Sequence, residues 1–307
     1  MDKLFAWGQG GGAKPDPFVC HRCDGEALGS YSIKIIEALS DNYSYLIVNS
    51  TSQEAVAVDV AEAPRVSAVV ESLGARLVAV LTTHCHGDHA GGNAELAASS
   101  SALEIVAGER DFDRTPCATR SVGDGEAFVA AGLAFTALHT PGHTRGHMSY
   151  LLDAKDGQAP AVFTGDCLFV GGCGRFMEGT PEVMQISLAK LAALDPATRV
   201  FPGHEYTTGN LKFCCALEPD NGGLEDAYNG AVERRDKQLP TVPSTIFDEL
   251  RLNPFLRVDD ANVQRAVDCE GDALKTLAAV RRKKDTFTTV GKVITFFLDT
   301  KAAFSSE

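Results

Sequence analysis

The chain has 307 residues, which is enough for two domains of roughly 150 residues or for one large α/β domain. With 28 basic and 41 acidic residues its formal net charge is −13, which argues against a protein that binds nucleic acid through a basic surface. The 44% hydrophobic content is typical of a soluble globular protein, and no run of about 18 apolar residues predicts a membrane span. We therefore expect neither nucleic acid nor membrane as a partner.

The first 30 residues are rich in glycine and proline and show no periodic pattern, so we expect a poorly ordered extension over 1–30. Cys20 and Cys23 form a C-x-x-C pair there, but no second pair completes a zinc site. Nine irregularly spaced cysteines without a hydrophobic leader argue against a secreted disulfide framework. We expect reduced thiols and a cytoplasmic location, with the mitochondrion as the alternative.

Short strands and two helices are predicted for the middle of the chain, which we define as one α/β domain over 31–205. The predicted strands are Ser32–Ala38, Tyr43–Val48, Ala55–Val60, Arg76–Thr83, Leu103–Ala107, Leu133–His139, Met148–Asp153, Ala161–Gly165 and Arg199–Phe201. The predicted helices are Ala61–Leu73 and Pro181–Leu194.

From Tyr206 onward the pattern becomes helical, which places a domain boundary near 205–210 and a second domain over 206–307. The predicted helices there are Asn210–Leu217, Leu224–Lys237 and Asp272–Lys284. The tail Thr286–Glu307 contains an apolar run for which we have no functional interpretation.

Three of the eight histidines fall within six residues, in the segment Thr83–His89 (THCHGDH). A predicted strand runs directly into this segment, so its side chains emerge at a strand's carboxyl end, where α/β sites usually form. His84 and His86 alternate, so they can point the same way in an extended chain, and Asp88 and His89 follow a glycine turn. Four candidate ligands exceed the three that one tetrahedral catalytic ion takes, so the pattern favours two metal ions.

Three further candidate ligands, His143, Asp166 and His204, also lie where predicted strands end. Each follows a glycine, which lets the backbone bend towards a shared centre. Each alone can equally be a structural residue, but together with the cluster they complete a recognisable order.

The order H-x-H-x-D-H followed by separate His, Asp and His resembles the metallo-β-lactamase superfamily, and more narrowly the glyoxalase II family of hydroxyacylglutathione hydrolases. The matching segments are Thr83–Asn93 (THCHGDHAGGN), Thr140–His147 (TPGHTRGH), Phe163–Gly179 (FTGDCLFVGGCGRFMEG), Gly203–Lys212 (GHEYTTGNLK), Pro240–Thr245 (PTVPST), Asn253–Arg257 (NPFLR) and Ala279–Asp285 (AVRRKKD). The resemblance covers about residues 32–285. It implies a four-layer αββα sandwich followed by a helical C-terminal domain that shapes the substrate site.

The resemblance also implies two divalent metal ions and their ligands. His84, His86 and His143 would hold one ion, Asp88, His89 and His204 the other, and Asp166 would bridge them. Asp59 matches a carboxylate that orients a histidine ligand. His21, His139 and His147 are left as non-ligands. Mixed His/Asp ligation suits zinc, iron or manganese.

Paired ions lower the pKa of a shared water to about 7, so the expected nucleophile is a hydroxide bridging the metals, held with the help of Asp88 and Asp166. No protein nucleophile is then needed, and Cys85 is not expected to act covalently.

Substrate recognition is expected at a basic segment. In a helix Arg281 and Lys284 share a face, where they can bind the glutathione carboxylates or simply complement the helix dipole. The resemblance favours the binding role and adds Arg175, His204 and Tyr206 as contacts. Met177 departs from the family pattern, which often has tyrosine there, and this puts the thiol carrier in question.

The activity that the resemblance implies is hydrolysis of S-(2-hydroxyacyl)glutathione, chiefly S-D-lactoylglutathione, to D-lactate and glutathione. We separately expect a monomer. One alternative is a persulfide dioxygenase of the same fold with a single iron, although such proteins generally lack the helical half. A second alternative is a non-catalytic glutathione- or metal-binding protein, although all seven ligand positions are filled.

Overall fold

The computed structural model describes the backbone of residues 20–22, 30–154 and 157–302, and the side chains of 30–154 and 157–287. Within this part of the chain no helix combines the length and apolarity needed to cross a bilayer.

The first sheet contains seven strands that lie side by side in their order along the chain. They are β1 (Cys20–Arg22), β2 (Tyr31–Ala38), β3 (Asn42–Asn49), β4 (Glu54–Val58), β5 (Arg76–Leu81), β6 (Glu104–Gly108) and β7 (Arg120–Val122). Strands β1 to β4 pair antiparallel, whereas β4 to β7 pair parallel. The carboxyl ends of β4 and β5 therefore lie at the same edge of this sheet.

The second sheet has the order β15-β14-β11-β10-β9-β8. Its strands are β8 (Ala127–Ala130), β9 (Leu133–His139), β10 (Met148–Leu152), β11 (Ala161–Gly165), β14 (Arg199–Pro202) and β15 (Ser244–Thr245). A separate hairpin joins β12 (Leu168–Phe169) to β13 (Gly172–Cys173). Only β11 and β14 pair in parallel, so both of their carboxyl ends reach one edge.

A core of apolar side chains from both sheets fills the space between them. At its centre Tyr45 of the first sheet packs against Phe163 and Phe201 of the second, with ring centroids 5.4 and 5.3 Å apart. Nearly complete burial of such large rings makes this face-to-face packing a main source of stability.

Helices cover the outer face of each sheet. The helices of the described residues are α1 (Ala63–Ser72), α2 (Gly87–Ala90), α3 (Asn93–Ser99), α4 (Pro181–Ala192), α5 (Thr207–Leu217), α6 (Gly222–Asp236), α7 (Ile246–Leu252), α8 (Ala261–Ala266) and α9 (Ala273–Ala302). Helices α1 and α3 pack on the first sheet, and α4 with the C-terminal helices packs on the second. The predicted αββα sandwich with a helical C-terminal region is confirmed.

Two segments are more regular than predicted. Cys20–Arg22, within the expected N-terminal extension, pairs as β1 with the open edge of β2. The last helix continues to Ala302 instead of ending at Lys284, since no proline follows the cations at 281–284. Residues 1–19, 23–29 and 303–307, which include Cys23 and most of the expected extension, lie outside the described residues.

Glu205 lies at one of the contacts between the helical region and the sandwich. The Glu205 carboxylate accepts hydrogen bonds from the Tyr43 hydroxyl on β3 and from the backbone N–H (2.9 Å) and hydroxyl (2.7 Å) of Thr241 in the helical region. Because Glu205 follows His204 directly, this contact also bears on the position of a proposed metal ligand.

Candidate metal centre

Seven side chains predicted as metal ligands meet at one edge of the sandwich. They are His84, His86, Asp88, His89, His143, Asp166 and His204. The first four follow β5, and the others follow β9, β11 and β14, so both sheets contribute.

The three-histidine group consists of His84, His86 and His143. The Nδ1 atom of His86 lies 3.0 Å from Nε2 of His84 and 3.1 Å from Nε2 of His143. Three ring nitrogens that converge in this way offer lone pairs to one point, which is an arrangement that a metal cation satisfies.

The mixed group consists of Asp88, His89 and His204. Nε2 of His89 lies 3.2 Å from Nε2 of His204 and 3.5 Å from Oδ2 of Asp88. Nε2 of His204 lies 3.4 Å from the same Asp88 oxygen. Two imidazoles and one carboxylate again face a common point.

Asp166 lies between the two groups. Its Oδ1 atom is 3.3 Å from Nε2 of His89, and its Oδ2 atom is 3.4 Å from Nε2 of His143. The buried Oδ1 accepts no hydrogen bond from any described residue. A buried carboxylate oxygen without a donor is costly unless a cation takes its place, so the donor set fits divalent metal ions.

Glycine makes the close approach of these ligands possible. A Cβ atom at Gly203 would lie 2.6 Å from Cε1 of His89 and 2.8 Å from Oδ1 of Asp166. Any side chain at this position would therefore push two proposed ligands apart.

Carboxylates bind the outward nitrogens of the mixed group. Nδ1 of His89 lies 2.9 Å from Oδ2 of Asp59, whose Oδ1 accepts the Thr83 backbone N–H at 2.7 Å. Nδ1 of His204 lies 2.8 Å from Oδ1 of Asp41. Each pair turns the Nε2 atom of its histidine towards the metal position.

Sequence reasoning found Asp59 but missed Asp41 and its neighbour Asn42. The Asn42 side-chain amide donates to both the backbone oxygen and the carboxylate Oδ2 of Asp88, at 3.1 Å each. The one local signal is a pair of polar residues where the tight turn after β2 leads into β3, and such pairs are common beside turns that have no other role.

Charges in the centre strongly shift the acidity of its members. Burial alone would lower the pKa of His89, but Asp166 and Asp59 raise it to about 10. Burial alone would also lower the pKa of His204, but the nearby carboxylates of Asp166 and Asp41 raise it to about 12. These imidazoles bind protons where a metal cation could bind instead.

His84 behaves in the opposite way. Burial and the neighbouring imidazoles hold the pKa of His84 well below its usual range. A neutral imidazole is the form that coordinates a metal.

The proposed substrate contacts lie beside this centre. The Tyr206 ring stacks on His204, with centroids 4.6 Å apart and planes within 5°. The Arg175 side chain is largely exposed and lies 3.6 Å from Asp285, while its backbone oxygen faces Nδ1 of His143 at 3.1 Å. Met177 is 62% exposed and is thus available for contact from solvent.

The two basic residues of α9 that we expect to bind substrate, Arg281 and Lys284, differ in accessibility. Arg281 is buried, donating to the backbone oxygen of Cys173 at 2.9 Å and to the Asp285 carboxylate at 2.7 Å. The Lys284 ammonium donates to the backbone oxygen of Gly209 at 2.9 Å, and burial lowers its pKa to about 8. Lys284 is therefore the cation with more freedom to meet a ligand.

Cys85 lies among the ligands but is not activated. Burial raises the pKa of its thiol to about 11, so the thiolate is scarce at neutral pH. A reactive cysteine would show the opposite shift.

Two family models match the chain in sequence. The model described as "Metallo-beta-lactamase superfamily" matches residues 40–204, and "Hydroxyacylglutathione hydrolase C-terminus" matches residues 205–287. The chain is 43% identical to "Hydroxyacylglutathione hydrolase cytoplasmic" of Arabidopsis thaliana, over 81% of this chain and 96% of the relative. It is 41% identical to "Hydroxyacylglutathione hydrolase" of Synechococcus sp., over 83% of this chain and 99% of the relative.

Solved structures give the same fold. ETHE1 from Myxococcus xanthus superposes with a TM-score of 0.57 at 25% identity, over 82% of this chain and 96% of that chain. The protein TTHA1623, solved in a di-iron-bound form, superposes with a TM-score of 0.51 at 26% identity, over 72% of this chain and 98% of that chain. These likenesses and the His/Asp cluster support a site for divalent metal ions.

Proposed function

Because the chain belongs to the hydroxyacylglutathione hydrolase family, within the metallo-β-lactamase superfamily, we propose that it hydrolyses S-(2-hydroxyacyl)glutathione thioesters. The preferred substrate is S-D-lactoylglutathione, and the products are D-lactate and glutathione. The observation that carries this proposal is the Asp166 carboxylate, which faces both ligand groups at 3.3 and 3.4 Å.

The centre is proposed to hold two divalent ions, of zinc, iron or manganese. The ligands would be the three-histidine group for one ion, the mixed group for the other, and Asp166 between them. Ions bound there would supply Lewis-acid polarisation of the thioester carbonyl and would lower the pKa of a bound water to about 7.

The chain's own residues hold this arrangement in place. Asp59 and Asp41 orient the imidazoles of His89 and His204, so the reacting groups need little rearrangement. Asp88 and Asp166 supply the negative charge that balances the cations. A thioester suits this chemistry because its thiolate leaves without strong acid assistance.

The glutathione part of the substrate is proposed to lie along Tyr206, Arg175 and α9. The exposed Arg175 and the half-buried Lys284 offer positive charge to its carboxylates within an acidic chain. Arg281 would contribute more by holding the hairpin at Cys173 and the side chain of Asp285. His204 and Met177 complete the proposed contacts.

The organisation of the chain follows the same proposal. Residues 31–205 would form the metal-binding domain and 206–307 the substrate-binding domain, after an extension over 1–30. We propose a cytoplasmic monomer, since the Arabidopsis relative is named cytoplasmic, and the mitochondrion is the alternative.

The persulfide dioxygenase alternative has less support. That activity needs one iron with two histidines and an aspartate, whereas seven potential ligands converge here in overlapping groups. The match to the hydroxyacylglutathione hydrolase C-terminal model also lies in the half that such dioxygenases generally lack.

A direct assay separates these activities. Purified protein is supplied with S-D-lactoylglutathione, and thioester loss is followed beside oxygen uptake with glutathione persulfide and beside metal analysis. We expect thioester turnover with two ions per chain, and Asp166→Ala should lose activity and bound metal together. Oxygen consumption with one iron per chain and no thioester turnover would overturn the proposal.

A further inference from the structure

His147 is a buried histidine that belongs to neither ligand group. It lies at the end of the loop between β9 and β10 and is 0% exposed. Its ring stacks on that of His84, with centroids 5.1 Å apart and planes 29° apart. His147 is thus a buried imidazole beside the metal centre that is not itself a proposed ligand, and its burial needs another explanation.

The Nε2 atom of His147 accepts a hydrogen bond from the backbone N–H of Asp166, at 3.1 Å. This N–H has left the sheet, because the β11–β14 ladder is irregular between Phe163 and Gly165. It therefore needs an acceptor that secondary structure does not supply, and a buried N–H without one is unfavourable.

Hydrogen bonds behind His147 define which of its nitrogens carries the proton. Since Nε2 accepts, the proton sits on Nδ1, which lies 3.0 Å from Oγ1 of Thr140. Thr140 Oγ1 lies 2.9 Å from Oγ of Ser149, so its own proton can continue the chain. All three side chains are 0% exposed, so water does not compete for these bonds.

The backbone is shaped to allow this contact. Gly165 has a φ of +45°, and a Cβ atom there would lie 2.8 Å from Nε2 of His147 and 2.4 Å from Oγ1 of Thr83. Only glycine lets the chain pass this close to the histidine.

From these contacts we propose that His147 is a positioning residue for Asp166, holding its backbone so that the carboxylate reaches both ligand groups. The inference rests on the proposed role of Asp166 as a shared metal ligand, not on the identity of the thioester. Outer partners of metal ligands typically change metal affinity or activity by about 10–100-fold when they are removed.

The test compares two substitutions of His147. His147→Phe keeps a ring on His84 but offers no acceptor to the Asp166 N–H, whereas the side-chain oxygen of His147→Gln can replace Nε2. His139→Phe is the matched control, because His139 lies at the other end of the same loop and bonds to the Arg145 backbone oxygen instead of to a ligand.

The full-length apo proteins are titrated with Zn²⁺ and with Co²⁺ against a competing chelator, and kcat and KM are measured separately. We expect His147→Phe to weaken binding of the second equivalent about 10–100-fold and to lower kcat with KM within about twofold. His147→Gln should recover most of both losses, and His139→Phe should match the wild type. Changes in the Co²⁺ absorption spectrum should follow the same order.

Equal metal affinity in His147→Phe and wild type would overturn the inference, as would a Gln variant no better than Phe at equal thermal stability. If His147→Phe does not fold, Thr140→Val tests the same role, because it removes the hydroxyl that keeps the proton on Nδ1 of His147. It should weaken the second equivalent, and Thr140→Ser should restore it; unchanged binding in Thr140→Val would then refute the role. If the variants show the expected order of metal affinities but wild-type protein does not hydrolyse the thioester, the result would contradict the proposed function and not the role of His147.

Discussion

A single ammonium group on α9 carries much of the pH dependence that we expect for substrate binding. Burial lowers the pKa of Lys284 to about 8, so its positive charge is present below that pH and is lost above it. Attraction to a substrate carboxylate is lost with the charge, while the metal centre lies on other elements.

We therefore expect KM for S-D-lactoylglutathione to rise as the pH increases from 7 to 9, with a smaller effect on kcat. Lys284→Arg keeps a cation over this whole range and should remove the rise, whereas Lys284→Ala should have a high KM at every pH. Initial rates corrected for spontaneous thioester hydrolysis give both constants. Parallel KM profiles for the wild type and Lys284→Arg would contradict the assignment.

At the scale of single residues, the side chains that the spacing of the sequence groups together also lie together in the structure. The segment with His84, His86, Asp88 and His89 is dense enough to indicate metal without any structure. Asp41 could not be predicted in the same way, since it contacts His204 across 163 positions of the chain. Such a contact exists only after the two sheets have packed.

Among the elements, the β12–β13 hairpin is held by a buried carboxylate. Oε2 of Glu249 on α7 accepts the Gly171 N–H at 2.9 Å and the Asn253 amide at 2.9 Å, and Oε1 accepts the Ser244 hydroxyl at 2.7 Å. Burial nevertheless raises the pKa of Glu249 to about 7 from its ordinary value of 4.5.

A raised carboxyl pKa means that the folded protein binds the proton more tightly than the unfolded chain. Below pH about 4.5 Glu249 is protonated in both the folded and the unfolded protein, so its titration does not lower the free energy of unfolding. Between about 4.5 and 7 its burial penalty grows to about 3 kcal/mol, and above that pH the penalty is constant.

Glu249→Gln removes this titration and keeps its contacts, with the amide oxygen towards Gly171 and the amide nitrogen towards Ser244. We expect its stability relative to wild type to increase by about 3 kcal/mol between pH 4.5 and 7 and then to level off. Urea unfolding at a series of pH values measures the difference. Glu95→Gln, at an exposed position on α3, is the control and should show no such trend; a constant difference for Glu249→Gln would refute the prediction.

Element prediction succeeded for strands with a continuous apolar pattern and failed for short ones. Strands β3, β9 and β11 were predicted to within one or two residues. Strands β12, β13 and β15 have two residues each, too few for any periodic pattern, and their positions depend on contacts such as those of Glu249. Helices α7 and α8 are six or seven residues long and escaped prediction for the same reason.

Considered as a whole, the molecule places the metal centre where its two sheets meet. Four proposed ligands come from the first sheet and three from the second, so bound metal links the layers. Anything that binds only the folded state stabilises it, by about 3 kcal/mol for each ion at a free concentration of 100 times its Kd.

Removal of metal by a chelator should therefore lower the melting temperature. For two ions and roughly 1.5 °C per kcal/mol in a chain of 307 residues, we expect a decrease of roughly 10 °C. Calorimetry before chelation, after chelation and after return of Zn²⁺ measures the effect, with Asp166→Ala as the variant that should respond least. An unchanged melting temperature in chelated wild type would show that metal does not link the sheets.

The whole architecture was predictable only through resemblance. Alternating strands and helices indicated an α/β class, but not that the strands divide into two facing sheets. The division into two sheets was predicted from the metal-binding motifs through the family resemblance. Packing such as that of Tyr45 on Phe163 and Phe201 leaves no pattern in the local sequence.

The Glu205 contact has a consequence for protein engineering. A hybrid that grafts a foreign recognition module after residue 205 must reproduce hydroxyl and amide donors where Thr241 now stands. Without them the Glu205 carboxylate has fewer hydrogen-bond donors, which would disturb the position of the adjacent proposed ligand His204. A hybrid built on this protein should therefore keep the protein's own residues 240–245.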